Sequence, residues 1–188
     1  MSTPLDDQTR FYLRNWERIE TWLALRSEAI DSVKTAIIAA VEGLDPTVVT
    51  DASMRWEQAI DSTFPTFELS KPNWCLDDRT VAVALQWQQQ KQPRKVSDAS
   101  LWPWIGIRVS GGSAKDIAAV RLWKQLAEPA AGLQWHEREL GTGWLWWKRL
   151  HPIGAGDDLD TLTQACRDGL HAGWSRMSGP IDDWFRRE

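Results

Sequence analysis

The chain has 188 residues, of which 43% are hydrophobic and 26% are charged, and its formal net charge is −4 at pH 7. This composition is typical of a globular protein with one domain, with or without a helical extension, and it excludes an intrinsically disordered chain. The mild acidity excludes a strongly acidic mimic of nucleic acid and gives no general affinity for phosphate backbones.

The sequence predicts a cytoplasmic protein without membrane contact. No stretch reaches the roughly 18 apolar residues of a membrane span, and the first residues have neither the basic start nor the apolar core of a secretory signal. The two cysteines, Cys75 and Cys166, are far apart in the chain. Such lone cysteines are typical of reduced residues rather than of a disulfide framework.

Tryptophan is strongly over-represented, with 14 residues against four Phe and one Tyr. Its large ring fills thick cores, and its N–H also makes it a common anchor of interfaces. Burial in the core is the more frequent outcome for any single aromatic residue. The excess nevertheless predicts that some of these rings serve an interaction surface.

The first forty residues carry the period of a helix, which we predict over residues 4–44, with a second helix over 48–61. A break near Ser27 would divide the long helix into a pair. Its seam follows a heptad pattern interrupted only by Arg26, and it is buried either on the rest of the domain or in a coiled coil shared with a partner. The seam consists of Tyr12, Trp16, Ile19, Leu23, Ile30, Val33, Ile37, Ala40 and Leu44.

Alternating patterns begin after residue 63 and predict five strands. The first ends the segment 64–69, and the clearest covers 80–88, where Val81, Val83, Leu85 and Trp87 alternate with smaller or polar residues. A third strand covers 101–110. A hairpin over 133–150, with its turn at Gly141 to Gly143, supplies the last two.

Helical patterns separate and follow these strands. One helix is predicted over 113–128, ending before Pro129, and another over 157–177, broken by Gly179-Pro180. The predicted order is three strands, a helix, two strands and a helix. This order predicts an α+β fold with a five-stranded, largely antiparallel sheet and helices packed on it. The predicted organisation is a helical segment at 1–62 packed on an α+β domain at 63–188.

The strand over 101–110 separates its side chains into two kinds. Aliphatic residues occupy one face, suited to packed helices, while tryptophan and arginine occupy the other. An exposed tryptophan face would be a large apolar patch, so the N-terminal helix or a protein partner is expected to cover it. The predicted protein-binding residues are Trp102, Trp104 and Arg108 on the sheet, with Trp16 and Trp22 on the first helix.

A second hypothesis assigns single-stranded nucleic-acid binding to the last hairpin, because aromatic stacking combined with cations holds single strands. A strand with tryptophans on both faces is equally typical of a buried central strand whose basic residues mark its exit. The residues of this hypothesis are Trp144, Trp146, Trp147, Lys148 and Arg149, with Lys91, Arg94 and Lys95 from a nearby loop.

Catalytic patterns are almost absent, so we predict no catalytic residue, metal site or cofactor. The three histidines have no metal-ligand spacing to one another or to the cysteines, and no nucleophile elbow is present. A faint resemblance to a metal-dependent nuclease pattern surrounds the clearest strand, with Asp77-Asp78 before it and Gln89-Gln90-Lys91 after it. Residues 80–91 contain no carboxylate to hold the metal. A degenerate nuclease is therefore the third hypothesis.

Three segments carry a family resemblance: Trp104-Ile-Gly-Ile-Arg108, Trp144-Leu-Trp-Trp-Lys-Arg-Leu150 and the helix beginning at Asp157-Asp-Leu-Asp. Residues 64–177 thereby resemble the C-terminal accessory region of bacterial proteins of the PD-(D/E)XK nuclease-like superfamily. The catalytic carboxylates of that family belong to a preceding domain, and none has a counterpart here. The resemblance implies a bacterial or phage conflict system, in which such a module binds something while another protein acts.

These observations predict a non-enzymatic protein-binding module that acts as an accessory, regulatory or inhibitory subunit in a defence or counter-defence system. The partner is expected to be another protein or a second copy of the chain. It would bind through the N-terminal helix or through the tryptophan face of the sheet.

Overall fold

The computed structural model describes residues 6–59, 62–76, 79–87, 103–110, 117–137, 143–150 and 159–187. The chain forms two compact units, Met1–Thr35 and Ala36–Glu188. The first contains most of the long helix α1, Asp7–Glu42, and the second contains the end of α1, the sheet and the other helices. The predicted α+β fold is confirmed.

Helix α1 is continuous over its 36 residues, so the alternative of a break near Ser27 is wrong. Asp6 caps its start, because the backbone N–H of Thr9 donates to the Asp6 carboxylate at 2.9 Å and the Thr9 hydroxyl donates at 2.8 Å. These two hydrogen bonds also lower the pKa of Asp6. The helix gives way to a turn at Gly43, close to the predicted end.

Within the described residues, the sheet of the second unit has seven strands, whose pairings are antiparallel. Six of them follow the order β1-β2-β4-β5-β7-β6, and the two-residue β3 pairs with the start of β4. The strands are β1 Ser53–Gln58, β2 Thr66–Ser70, β3 Cys75–Leu76, β4 Arg79–Gln86, β5 Trp104–Val109, β6 His136–Glu137 and β7 Trp144–Arg149.

The predicted helix over 48–61 is wrong, because residues 53–58 form strand β1. Trp56 lies opposite Phe67 of β2, with ring centroids 5.3 Å apart, and also contacts Trp87 at 5.8 Å. The spacing of apolar residues in this short segment fits a helix and a strand alike. Pairing with β2 and the aromatic contacts select the strand.

Two short helices stand in place of the described part of the helix predicted over 113–128, whose residues 113–116 lie outside the described residues. They are α2, Ile117–Gln125, and α3, Ala127–Gly132. Pro129 does not lie beyond the helical region as predicted, since it occupies the first turn of α3. The first turn tolerates proline because its backbone N–H groups have no partner within the helix.

Helix α4 runs from Leu159 to Phe185, so the predicted break at Gly179-Pro180 is wrong. The part beyond the proline is held by burial of Ile181 and Trp184 and by polar contacts of Asp182. Tertiary packing therefore compensates for the backbone hydrogen bond that proline removes.

Helices pack on one face of the sheet, here called the helix face, which carries the aliphatic residues of β4 and β5. Gly173 of α4 lies so close to this face that a Cβ there would be 3.0 Å from Val83 Cγ1. Trp146 of β7 stacks on Trp123 of α2 with centroids 6.1 Å apart. Among the helices described, none combines the length and apolar character that crossing a membrane requires.

Candidate binding site

The opposite face of the sheet, here called the tryptophan face, carries Trp104, Arg108, Trp144 and Trp147. The predicted separation of Trp104 and Arg108 from the aliphatic residues of β5 is thereby confirmed. Gly106 lies between them on the same face, opposite Trp147. With only a glycine in the middle of β5, the ring of Trp104 at its start and the rings of Trp144 and Trp147 on β7 stand around a hollow.

This hollow is a pocket of about 340 Å³. Its aromatic lining consists of Phe64, Trp104, Trp144 and Trp147. The ring of Trp104 contacts Phe64 and Trp144 edge to face, with centroids 6.5 Å and 6.4 Å apart. Such edge contacts are a favourable geometry for aromatic pairs and hold the walls in place.

A buried network of charges lies beside the pocket, centred on Glu68, whose side chain is fully buried. Arg55 Nη2 and the Ser110 hydroxyl donate to the Glu68 carboxylate at 2.8 Å and 2.7 Å. Arg108 Nη1 donates to Glu57 at 2.8 Å and lies 3.4 Å from Glu68. Buried charges need such partners, and the network fixes the position of the Arg108 guanidinium.

Two arginines line the pocket, and no acidic residue lines it in the described part of the chain. Arg108 Nε is buried and has no hydrogen-bond partner among the described residues. The Arg149 guanidinium lies over the rings of Trp104 and Trp147, at 5.8 Å and 5.9 Å from their centroids. The pocket is thus apolar in its walls, with an ion-paired arginine at Arg108 and an exposed arginine at Arg149.

Two glutamines complete the lining, Gln58 of β1 and Gln86 of β4. The Thr66 hydroxyl donates its single hydrogen to the backbone carbonyl of Phe64 at 3.0 Å. Its oxygen can then only accept, and it accepts from Gln86 Nε2. The orientation of the Gln86 amide is thereby determined, with its carbonyl oxygen left as an acceptor.

Residues from both predicted binding sets meet in this pocket. Trp104 and Arg108 come from the protein-binding set, and Trp144, Trp147 and Arg149 come from the nucleic-acid set. Outside the described residues lie Trp102, Lys91, Arg94 and Lys95.

The remaining members of the nucleic-acid set, Trp146 and Lys148, lie on the helix face. Trp146 Nε1 donates to the carbonyl of Trp123 at 2.9 Å, and Lys148 Nζ donates to the carbonyl of Leu133 at 3.2 Å. Strand alternation places them away from Trp147 and Arg149, so they contribute to packing against the helices.

Phe64, Gln58 and Gln86 are pocket residues that sequence reasoning did not identify. The position of Gln86 could have been predicted, because strand alternation places its side chain on the face away from the aliphatic residues that contact the helices. The position of Gln58 could not have been predicted in this way, since its segment was predicted as a helix. The charge network at Glu68 was missed for the same reason, because its partners Arg55 and Glu57 belong to β1.

Helix α1 presents a second candidate surface within the first unit. Trp16 and Leu23 of the heptad seam are 51% and 46% exposed. Burial begins only at Ala36. Trp22, the other predicted binding residue of this helix, is 64% exposed.

Among the described residues, no group of three or more His, Cys, Asp or Glu is placed to hold a metal ion. Comparisons with family models, curated proteins and solved structures find no match to this chain. The resemblance to the nuclease-associated accessory region therefore stays a prediction.

Proposed function

We propose that this chain is a protein-binding module whose helix α1 docks into an apolar groove of a partner protein. The observation that supports this best is the exposure of large apolar side chains along about four turns of one helix. Exposed apolar patches of this kind mark interaction sites. The exposed residues are Phe11, Tyr12, Leu13, Trp16, Trp22, Leu23 and Leu25.

The width of this apolar face favours a groove over a two-stranded coiled coil. Leu13 and Trp22 flank the heptad seam on its two sides, and Leu25 lies further round the helix. A two-stranded coiled coil needs only the narrow seam, whereas a helix that enters a groove buries a wider stripe. In a parallel coiled coil of two copies, Arg26 would also lie beside Arg26 of the second copy, and two like charges at the seam are unfavourable.

Trp22 is the expected anchor of the interface. About two thirds of its surface is exposed (64%), and an aromatic side chain buries roughly 150–250 Å². At about 25 cal/mol per Å², covering the exposed part contributes about 3 kcal/mol. Truncation of such an anchor to alanine typically costs at least about 2 kcal/mol of binding free energy, or roughly a thirtyfold increase in Kd.

The biological setting of the proposal is a bacterial or phage conflict system, in which the chain acts as an accessory, regulatory or inhibitory subunit. The resemblance of residues 64–177 to an accessory region supports this setting. In that arrangement the chain contributes recognition, and the partner contributes the chemistry.

The test is an affinity capture from the native host with the full chain and two variants, followed by measurement of Kd with the purified partner. The double variant Trp16→Ala, Trp22→Ala removes two anchors. The matched control Arg14→Ala, Thr21→Ala alters the polar side of the same helix turns. We expect at least a thirtyfold loss of affinity for the first variant and less than a threefold change for the second.

Two results contradict the proposal. The first is a partner that the two tryptophan substitutions do not weaken. The second is a doubled molecular mass of the purified chain by light scattering that falls to the monomer value in the double variant, since the groove would then belong to a second copy.

A further inference from the structure

The pocket on the tryptophan face has the size of a small-ligand site. Its volume is about 340 Å³, which is near the lower end of the range for such sites and suits one flat ring system with a small polar group. It lies entirely within the second unit, far along the chain from the exposed residues of α1.

The walls favour a flat ligand. Phe64, Trp104, Trp144 and Trp147 supply four aromatic rings around the hollow at Gly106. Tryptophan rings stack on any nucleobase, because every base has a π-face, and each stacked base strengthens binding by about fivefold or more. The rings also exclude water from the ligand, which strengthens the polar contacts inside the pocket.

The amide groups add recognition of a ring edge that carries both donors and acceptors. The Gln86 amide is held by Thr66, which leaves its carbonyl oxygen as an acceptor. Gln58 lines the same pocket and offers both a donor and an acceptor. Nucleobase edges present this mixture of groups, whereas a purely hydrocarbon ligand would leave the amides without partners.

The charges favour an anion attached to that ring. Arg149 is exposed, lines the pocket and lies over the rings of Trp104 and Trp147. Arg108 also lines the pocket, but its guanidinium is paired with Glu57 and Glu68 and holds the wall rather than the ligand. A cationic ligand would be repelled by Arg149, which already occupies the cation position over the two rings.

We propose that this pocket binds a single nucleotide, with its base between the aromatic walls and its phosphate at Arg149. The nucleotide is either a free nucleoside monophosphate or the terminal nucleotide of a single strand, because both present the same base and phosphate. The net charge of −4 disfavours a long contact with a phosphate backbone, so the footprint is one nucleotide.

The test titrates the full chain by calorimetry with nucleoside 5′-monophosphates, with the matching nucleosides, and with short single strands with and without a 5′-phosphate. We expect saturable one-to-one binding with a Kd below about 1 mM for at least one base. Affinity for the monophosphates should fall as salt is raised, because salt screens the attraction between phosphate and Arg149, whereas affinity for the nucleosides should not.

Two pocket variants and one control separate the contributions. Trp147→Leu is expected to weaken every ligand by about tenfold through lost stacking. Arg149→Gln, at an exposed position, should reduce monophosphate affinity to that of the nucleoside while leaving the nucleoside unchanged. Lys124→Gln, at an exposed position of α2 outside the pocket, serves as the control and should change nothing. Circular dichroism checks that each variant is folded.

Each outcome decides a point. Binding of free monophosphates identifies a free nucleotide as the ligand, and binding only of 5′-phosphorylated strands identifies a strand end. No saturation up to about 5 mM of any ligand overturns the proposal, as does binding that Arg149→Gln leaves unchanged. Preferential binding of an acidic peptide or an oligosaccharide in the same pocket also overturns it. The double variant Trp16→Ala, Trp22→Ala tests only the capture of a protein partner. Failure of the proposed protein binding is therefore distinguishable from failure of the proposed nucleotide binding.

Discussion

Asp182 is expected to hold the end of helix α4 to the rest of the second unit. Its carboxylate accepts hydrogen bonds from Lys71 Nζ at 2.6 Å and from Trp74 Nε1 at 2.7 Å. Trp74 is completely buried, and the side chains of Lys71 and Asp182 are 18% and 24% exposed. These contacts lie just beyond Pro180, where the helix lacks a backbone hydrogen bond.

The magnitude follows from the contacts that each substitution removes. Asp182→Ala removes a charge-assisted hydrogen bond of about 1.5–3 kcal/mol and leaves a buried indole N–H without its partner. We therefore expect a loss of about 3 kcal/mol in the free energy of unfolding. Asp182→Asn keeps an acceptor for Trp74 but loses the charge, so we expect about half of that loss.

The contribution of Asp182 should also depend on pH. Burial by itself opposes ionisation, but the hydrogen bonds from Lys71 and Trp74, together with the positive charges of Lys71 and Arg186, outweigh it and lower the pKa of Asp182 below its ordinary value of 3.8. A carboxyl with a lowered pKa in the folded state stabilises above the unfolded value. This stabilisation is lost as the pH falls through the folded pKa.

The assay is urea unfolding of the wild type, of Asp182→Asn and of the neighbouring Asp183→Asn at pH 7 and at about pH 2. Asp183 makes only an exposed ion pair with Arg186 and is 51% exposed, so its substitution should cost less than about 0.5 kcal/mol. Equal stability of the two variants at pH 7 would refute the reasoning. An undiminished advantage of the wild type over Asp182→Asn at about pH 2 would do the same.

Two further predictions concern the close approach of strands and the cysteines. Gly106→Ala places a Cβ 2.0 Å from a backbone carbonyl oxygen of β7. We therefore expect thermal melting to show a loss of about 3 kcal/mol in the free energy of unfolding. An unchanged melting temperature would mean that β5 and β7 are further apart. Cys166 is buried, and burial raises its pKa to about 12, whereas Cys75 is exposed. A disulfide reagent at about pH 8 should therefore modify only the Cys75 thiol in the native chain and both thiols after unfolding. Fast modification of both thiols in the native chain would contradict this prediction.

The faces of the central strands could be predicted from the sequence because strand alternation is a local property. Val83 and Leu85 on β4, and Ile105 and Ile107 on β5, were separated correctly from Trp104. The rise and pleat of a strand alone determine which side chains share a face. The same local reasoning predicted α1 correctly, since its helical period persists over 36 residues.

Residues 53–58 and 178–185 were predicted wrongly because non-local contacts decide their structure. Trp56 takes its conformation from Phe67 and Trp87, which the segment itself does not contain. Pro180 ordinarily ends a helix, but buried Trp184 and the bonds of Asp182 make continuation more favourable. Local propensity is a weak prior that tertiary packing can override.

The candidate site divides in the same way. Composition and pattern alone determined that tryptophan and arginine share a sheet face, and that α1 carries an apolar seam interrupted at Arg26. Only the tertiary structure decided that Trp104 and Arg108 meet Trp147 and Arg149 in one pocket with Gln58, because antiparallel pairing brings β1, β4, β5 and β7 together from distant parts of the chain. Strand neighbours are chosen by long-range pairing, and no local pattern in the sequence encodes that choice.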